Sequence, residues 1–69
     1  MWMPFRMEYG QIVAGIRVTM AGGCWFLRNG IRLDTSVQYK TKRQAIAVCE
    51  RLNSPRMILD AIDGGNKND

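Results

Sequence analysis

The stretch GGCWFLRNGIRLD, residues 22–34, decides the fold because it places two turn signals around a short aromatic strand. Gly22-Gly23 supplies the positive φ angles of a tight turn, and Asn29-Gly30 is the strongest hairpin signal in the chain. In a strand between these turns, Trp25 and Phe26 must point to opposite faces of the sheet. The fold therefore depends on which of the two aromatic rings faces the core.

The segments around this stretch complete an α+β pattern. Residues 11–20 and 31–40 alternate apolar and polar side chains with period two, which predicts a strand on each side of the aromatic one. Thr41 followed by Gln44 forms a capping box at the start of a helix over residues 41–53. The sequence therefore predicts a three-stranded antiparallel β-meander packed on one face by an α-helix. The apolar stripe of that helix comprises Ala45, Val48, Cys49 and Leu52, with Ile46 on its flank.

The two ends of the chain are expected to add little to this arrangement. Residues 1–10 are apolar but irregular, and Pro4 interrupts them, so we expect them to cover the small core. Residues 56–63 predict a short second helix. We expect one domain over residues 1–63 and a disordered acidic and polar tail over residues 64–69.

The first turn sets the register of the first two predicted strands. A two-residue glycine turn pairs Met20 with Trp25 and Val18 with Leu27. Trp25 then lies on the apolar face of the first strand, against the helix. Phe26 is left on the outer face of the sheet.

The second turn admits two loops. A two-residue loop at Asn29-Gly30 sets Arg32 and Asp34 on the core face, whereas a three-residue loop over residues 28–30 sets two apolar side chains there instead. Burying an unpaired charge costs several kcal/mol. The bulged three-residue loop is therefore favoured.

The outer face of this predicted sheet is the candidate binding site. An exposed Phe26 can stack on a nucleic-acid base while neighbouring arginines bind phosphates. The net charge is +4, and residues 1–56 hold nine Lys/Arg against three Asp/Glu, a balance that attracts nucleic acid or an acidic protein surface. The candidate nucleic-acid or partner-binding residues are Arg17, Thr19, Phe26, Arg28, Arg32, Gln38 and Lys40.

Three other interpretations of the same residues remain open. The basic charge can serve solubility alone. Phe26 can be covered by the N-terminal segment around Trp2 and Phe5, or it can form the centre of a homodimer interface. In a partner-binding protein, Trp2 and Phe5 are also candidate interface anchors.

The residue types exclude several classes of function. The chain has no His, no paired carboxylates and no nucleophile beside a base, so we expect a non-enzymatic protein without metal or cofactor. Two cysteines, Cys24 and Cys49, favour free buried thiols over a single bridge. No secretory signal is visible, and no run approaches the ~18 apolar residues of a membrane span. We therefore expect a soluble, cytoplasmic protein that does not bind membranes.

Residues 22–53 resemble the N-terminal arm-binding domains of phage-type integrases, in a pattern carried by Trp25, Thr41, Lys42 and Ala45. In that family the sheet face contacts DNA, and no integrase catalytic domain follows in this sequence, so the resemblance implies a free-standing DNA-binding module. The contact positions that the resemblance implies are Arg17, Phe26, Arg32 and Gln38. The small basic chain also resembles phage inhibitors of host complexes, including anti-CRISPR proteins, which implies a protein partner as the alternative.

Overall fold

The computed structural model describes residues 1–55, and both the helix expected over 56–63 and the tail expected over 64–69 lie outside the described residues. The fold is α+β, as predicted: a three-stranded antiparallel sheet of order β1-β4-β5 with one helix, and a separate hairpin formed by β2 and β3. The elements are β1 (Met3–Met7), β2 (Ile12–Val13), β3 (Ile16–Arg17), β4 (Cys24–Asn29), β5 (Arg32–Tyr39) and α1 (Lys42–Asn53).

The first strand of the sheet is β1, so the expectation of a strict meander starting at residues 11–20 is wrong. β1 pairs antiparallel with β4, and this register sets Phe5 opposite Phe26. Pro4 does not prevent this pairing because β1 is an edge strand, where a missing N–H can face outward. Residues 3–7 therefore form part of the sheet itself.

Residues 11–20 form an arm that folds over the sheet instead of a single strand. Ala14 (φ 51°) and Gly15 (φ 79°) are both left-handed, as a two-residue type I′ turn requires, and they reverse the chain between β2 and β3. Two backbone hydrogen bonds close the base of the arm. The Val18 N–H donates to the Gln11 carbonyl at 2.8 Å, and the Gly10 N–H donates to the Val18 carbonyl at 2.9 Å.

The turn at residues 20–23 leads from the arm into β4. The Gly23 N–H donates to the Met20 carbonyl at 2.9 Å, so this turn does not pair two strands as predicted. Gly23 has φ +89°, and a Cβ at this position would lie 2.6 Å from the Met7 carbonyl oxygen. Only glycine fits here without displacing β1.

The hairpin between β4 and β5 uses neither of the two predicted loops. Asn29 pairs with Arg32, so the loop is Gly30-Ile31, and Gly30 (φ 63°) takes the first position of a type II′ turn. Trp25 lies opposite Tyr39 instead of Leu33, a pairing that this loop alone does not produce.

A bulge in β5 produces this change of register. Leu27 pairs with Asp34 and Trp25 pairs with Tyr39, so residues 35–38 of β5 lie opposite the single residue 26 of β4. A local turn holds part of this longer segment. The Asp34 carboxylate oxygen Oδ1 accepts from the Ser36 hydroxyl at 2.6 Å and from the Ser36 N–H at 3.0 Å. These two bonds lower the pKa of Asp34.

The core lies in two layers, one on each side of the sheet. The arm-side core consists of the buried residues Val18, Cys24 and Phe26 with Phe5, Met7, Val13 and Met20 packed against them. The helix-side core consists of the buried residues Leu27, Ala45 and Cys49 with Trp2, Trp25, Tyr39 and Val48 packed against them. Trp25 faces the helix as expected, but Phe26 is 0% exposed and does not lie on an open surface.

The helix begins and ends as the sequence predicts. Thr41 is the N-cap of α1, and both hydrogen bonds of the capping box with Gln44 are present. At the other end, the Asn53 side chain pairs with the backbone of Trp2: its Nδ2 donates to the carbonyl at 2.9 Å, and its Oδ1 accepts from the N–H at 2.7 Å. The apolar stripe is narrower than predicted, because Leu52 is 47% exposed.

We predict that Phe26→Ala lowers the free energy of unfolding by about 3–5 kcal/mol, because it opens a cavity in the arm-side core. Phe26→Leu, which removes less volume, lowers it by about 1–2 kcal/mol. Urea unfolding followed by circular dichroism measures both values. Ile31→Ala, at a fully exposed position, is the control and changes little. Equal, small effects of all three substitutions would contradict the buried position of Phe26.

Candidate nucleic-acid interface

The predicted outer-face patch does not exist as one surface, because the arm covers that side of the sheet. Phe26 is buried, and Phe5 packs against it in the arm-side core. The Phe26 ring is therefore not available to stack on a base, whereas the Phe5 ring is half-buried. The assignment of Phe26 to a binding surface was wrong because alternation separates the two faces of a strand without telling which face stays open. The role of Phe5 as an anchor stays a prediction.

Gln38 and Thr19 attach the arm to the sheet. The Thr19 N–H donates to the Gln38 side-chain oxygen Oε1 at 3.2 Å, and Gln38 Nε2 donates to the Arg17 carbonyl at 3.1 Å. The amide of Gln38 thus takes the place of a neighbouring strand and is not free to read bases. The exposed Arg17 guanidinium makes one long contact, from Nη1 to the Gly10 carbonyl at 3.4 Å.

Two predicted residues, Arg28 and Arg32, remain exposed and flank the β4–β5 turn. The Arg28 guanidinium carbon lies 5.8 Å from the centroid of the Phe5 ring, on the arm side of the sheet. The Arg32 guanidinium carbon lies 5.9 Å from the centroid of the Trp2 ring, on the helix side. Cations at this distance are attracted by the ring faces, so each arginine has a preferred position. We call residues 28–32 the hairpin tip.

A second group of cations surrounds Trp25 at the opposite end of β4. The half-buried ring has the Arg6 guanidinium carbon 5.8 Å and the Lys42 ammonium 5.7 Å from its centroid. Arg6 also donates to the Gly22 carbonyl at 2.7 Å. Lys40, a predicted site residue, is exposed and lies two residues before Lys42. Arg6 is not among the predicted site residues; its pairing with Trp25 depends on residues 3–7 forming a strand.

The positive charge of the described chain is largely uncompensated. Residues 1–55 hold eight Lys/Arg and three Asp/Glu. Their only ion pair joins Arg6 and Glu8 at 3.4 Å between exposed side chains, where such pairs contribute little. The surface of this part of the protein therefore attracts anions.

The two thiols lie in different cores and are both free, as predicted. Cys24 is buried on the arm side and Cys49 on the helix side. Burial raises the pKa of both thiols; for Cys24 the nearby Arg6 partly opposes the rise, and for Cys49 Glu50 adds to it. Both side chains are therefore packing residues in their protonated form.

Within residues 1–55, no three His, Cys, Asp or Glu side chains come together in a group suited to a metal ion. The helix found there is too short to cross a lipid bilayer.

Comparison with known proteins leaves the surface to be interpreted from its own residues. No protein-family model matches the chain, and searches of curated proteins and of solved structures gave no match.

We predict that Gln38→Glu destabilises the protein by about 1–2 kcal/mol and speeds hydrogen exchange of the Thr19 amide, because a carboxylate cannot donate to the Arg17 carbonyl. Gln11→Glu is the matched control, since the Gln11 side chain accepts from the Glu8 N–H through its oxygen, which the substitution keeps. Thermal unfolding and amide exchange measured by NMR test this. Unchanged stability of Gln38→Glu together with weaker nucleic-acid binding would show that Gln38 is a contact residue.

Proposed function

We propose that this chain is a non-enzymatic, basic binding module that binds DNA through the hairpin tip. The observation that carries the proposal is the pair of exposed arginines on the two sides of one tight turn. Arg28 lies on the arm side of the sheet and Arg32 on the helix side. Guanidinium groups on opposite sides of a narrow ribbon suit the phosphates that border a DNA groove.

The aromatic rings beneath the two arginines support this role. Phe5 and Trp2 belong to the two cores, so each ring is held in place by packing. A guanidinium that rests on a fixed ring loses less side-chain freedom when it binds a phosphate. The remaining donors of both groups stay available for hydrogen bonds.

Cations elsewhere on the surface add long-range attraction. They increase the rate and strength of association with a polyanion without selecting a sequence. The proposal agrees in class with the integrase arm-binding domains that the sequence resembles, but it assigns no contact to Phe26 or Gln38. The two free buried thiols support a reducing, cytoplasmic setting. The additional exposed cations are Arg6, Arg17, Lys40, Lys42, Arg43 and Arg51.

We predict that replacing both tip arginines, Arg28→Gln with Arg32→Gln, weakens binding to a labelled 20-base-pair duplex by about tenfold or more at low salt. The slope of log affinity against log salt falls by about 2, because two phosphate contacts are lost. Fluorescence anisotropy at several salt concentrations measures both quantities.

The matched control is Lys40→Gln with Arg43→Gln, which removes the same charge from exposed positions beside the start of α1, at the end of β5 far from the tip. We expect this variant to lose affinity by less than about threefold, through long-range attraction alone. Equal losses in the two double variants would contradict a site at the tip. Absence of duplex binding by the unmodified protein at low salt would contradict the function itself.

A second candidate function, an inhibitor or adaptor that binds a host protein, is favoured by the free edge of β5. β5 is an edge strand, and a groove of ≈ 570 Å³ runs between it and α1. A segment of a partner can add to such an edge by main-chain hydrogen bonds while its side chains enter the groove. A second copy of the chain can use the same edge. The groove is lined by Met20, Val37, Gln38, Tyr39, Lys40, Gln44, Ala47 and Val48.

We predict for this second candidate that one protein co-purifies from a nuclease-treated bacterial lysate in stoichiometric amount, and that Val37→Lys abolishes its capture. Val37 is 46% exposed in the groove, where a lysine places a charge against the added strand. Leu52→Lys, at an equally exposed position on the helix, is the control and retains the partner. Capture that survives Val37→Lys excludes the β5 edge, and gel filtration separates a foreign partner from a homodimer.

A further inference from the structure

The apolar side chain of Ile31 projects from the hairpin tip and is 100% exposed. We propose that Ile31 acts as a wedge that inserts between adjacent base pairs when the tip enters a groove of duplex DNA. This inference rests on the proposed DNA-binding function, and it adds the way in which the site selects its DNA.

The turn does not need an isoleucine at this position. Gly30 takes the left-handed position of the two-residue turn, and the second position accepts most residues. Polar residues such as Asn, Ser and Asp are the usual choice in turns, because their side chains bond to water and to nearby backbone. A fully exposed Ile31 makes no contribution to either core, so its shape and apolar character are directed outward.

The tip is supported from both sides, as a wedge requires. Arg28 rests on Phe5 and Arg32 on Trp2, and both rings are packed into the cores. Asn29 pairs with Arg32 directly before the turn, so the ladder of the sheet continues up to Ile31. The side chain is therefore presented by a ladder that is paired from the turn down to Leu27 and Asp34.

The positive charges beside Ile31 are complementary to the phosphates of the DNA that a wedge must approach. Proteins that insert Ile, Leu, Met, Phe or Pro between base steps unstack the bases at a cost of a few kcal/mol, which is offset by the contacts that the bent DNA allows. Arg28 and Arg32 lie on either side of Ile31 and can bind the phosphates that border the opened step.

A wedge makes binding depend on how easily the DNA deforms. Steps that are already unstacked, as at a nick or a mismatch, need less energy to open, and flexible pyrimidine–purine steps need less than stiff A-tracts. The protein should then prefer damaged or flexible sites without making hydrogen bonds to particular bases. The preference should depend on the volume of the side chain at position 31 and not on charge.

The test compares a nicked and an intact duplex of the same sequence, each carrying 2-aminopurine beside the central step, with binding followed by anisotropy and unstacking by 2-aminopurine fluorescence. The unmodified protein is expected to bind the nicked duplex about five- to tenfold more tightly and to raise the fluorescence on saturation. Ile31→Thr should bind the intact duplex within about twofold of the unmodified protein, with the same salt dependence, but should lose the preference and the fluorescence change. Ile31→Leu should keep both. Ile12→Thr, the same substitution at a 57% exposed position on the arm, is the control.

The possible results separate the wedge from the DNA-binding function. If the unmodified protein binds neither duplex at low salt, the proposed function fails and the wedge fails with it. If Ile31→Thr keeps the preference and the fluorescence change, or if it weakens binding to both duplexes equally, the wedge is excluded while DNA binding stands. If Ile31→Thr leaves DNA binding unchanged but abolishes capture of a protein partner, Ile31 is an anchor for protein and the wedge is again excluded.

Discussion

The central strand β4 is apolar on both of its faces, and the rest of the fold follows from covering them. Phe26 and Cys24 point to one side of the sheet, while Leu27 points to the other. The helix α1 covers only one side, so a second layer must come from elsewhere in a short chain, and the arm provides it. This arrangement closes the sheet face as a binding surface. The binding sites that we propose therefore lie elsewhere, at the hairpin tip and at the edge of β5.

Structure that is specified by a few neighbouring residues could be predicted from the sequence, whereas the pairing of strands far apart in the chain could not. The capping box at Thr41 specifies a helix start through hydrogen bonds within four residues, and the helix begins there. β1 was missed because Pro4 is a strand breaker in general and is tolerated only at an edge, which the topology decides. The arm was missed because Ala14 adopts a left-handed conformation that alanine rarely takes. The register of β5 depends on the bonds from Ser36 to Asp34, which period-two reasoning does not include.

In the candidate site, too, local features could be predicted from the sequence and contacts between distant segments could not. Arg28 and Arg32 are exposed because they adjoin a turn. The position of that turn can be predicted from the neighbouring residues Asn29 and Gly30 alone. The burial of Phe26 depends on the arm and on β1. Trp25 and Phe26 were correctly assigned to opposite faces of the sheet, but the face that holds Phe26 was wrongly expected to be open to solvent. The cations over Trp25 could not be expected while Arg6 was not assigned to a strand. A common feature emerges from these corrections: aromatic rings at the margin of the cores hold exposed cations in place, so packing and surface charge are arranged by the same residues.

The two adjacent glycines at the entrance of β4 have unequal evolutionary freedom. At Gly22 a side chain would meet open space, so a residue such as Asn, which accepts positive φ, can replace it. At Gly23 any side chain would collide with the backbone of β1, which cannot move without breaking its pairing with β4. As sequences of this kind diverge, the second glycine should persist after the first has been lost. A glycine directly before an aromatic strand is thus a better marker of shared ancestry for this fold than the basic surface, whose charges can change without disturbing the packing.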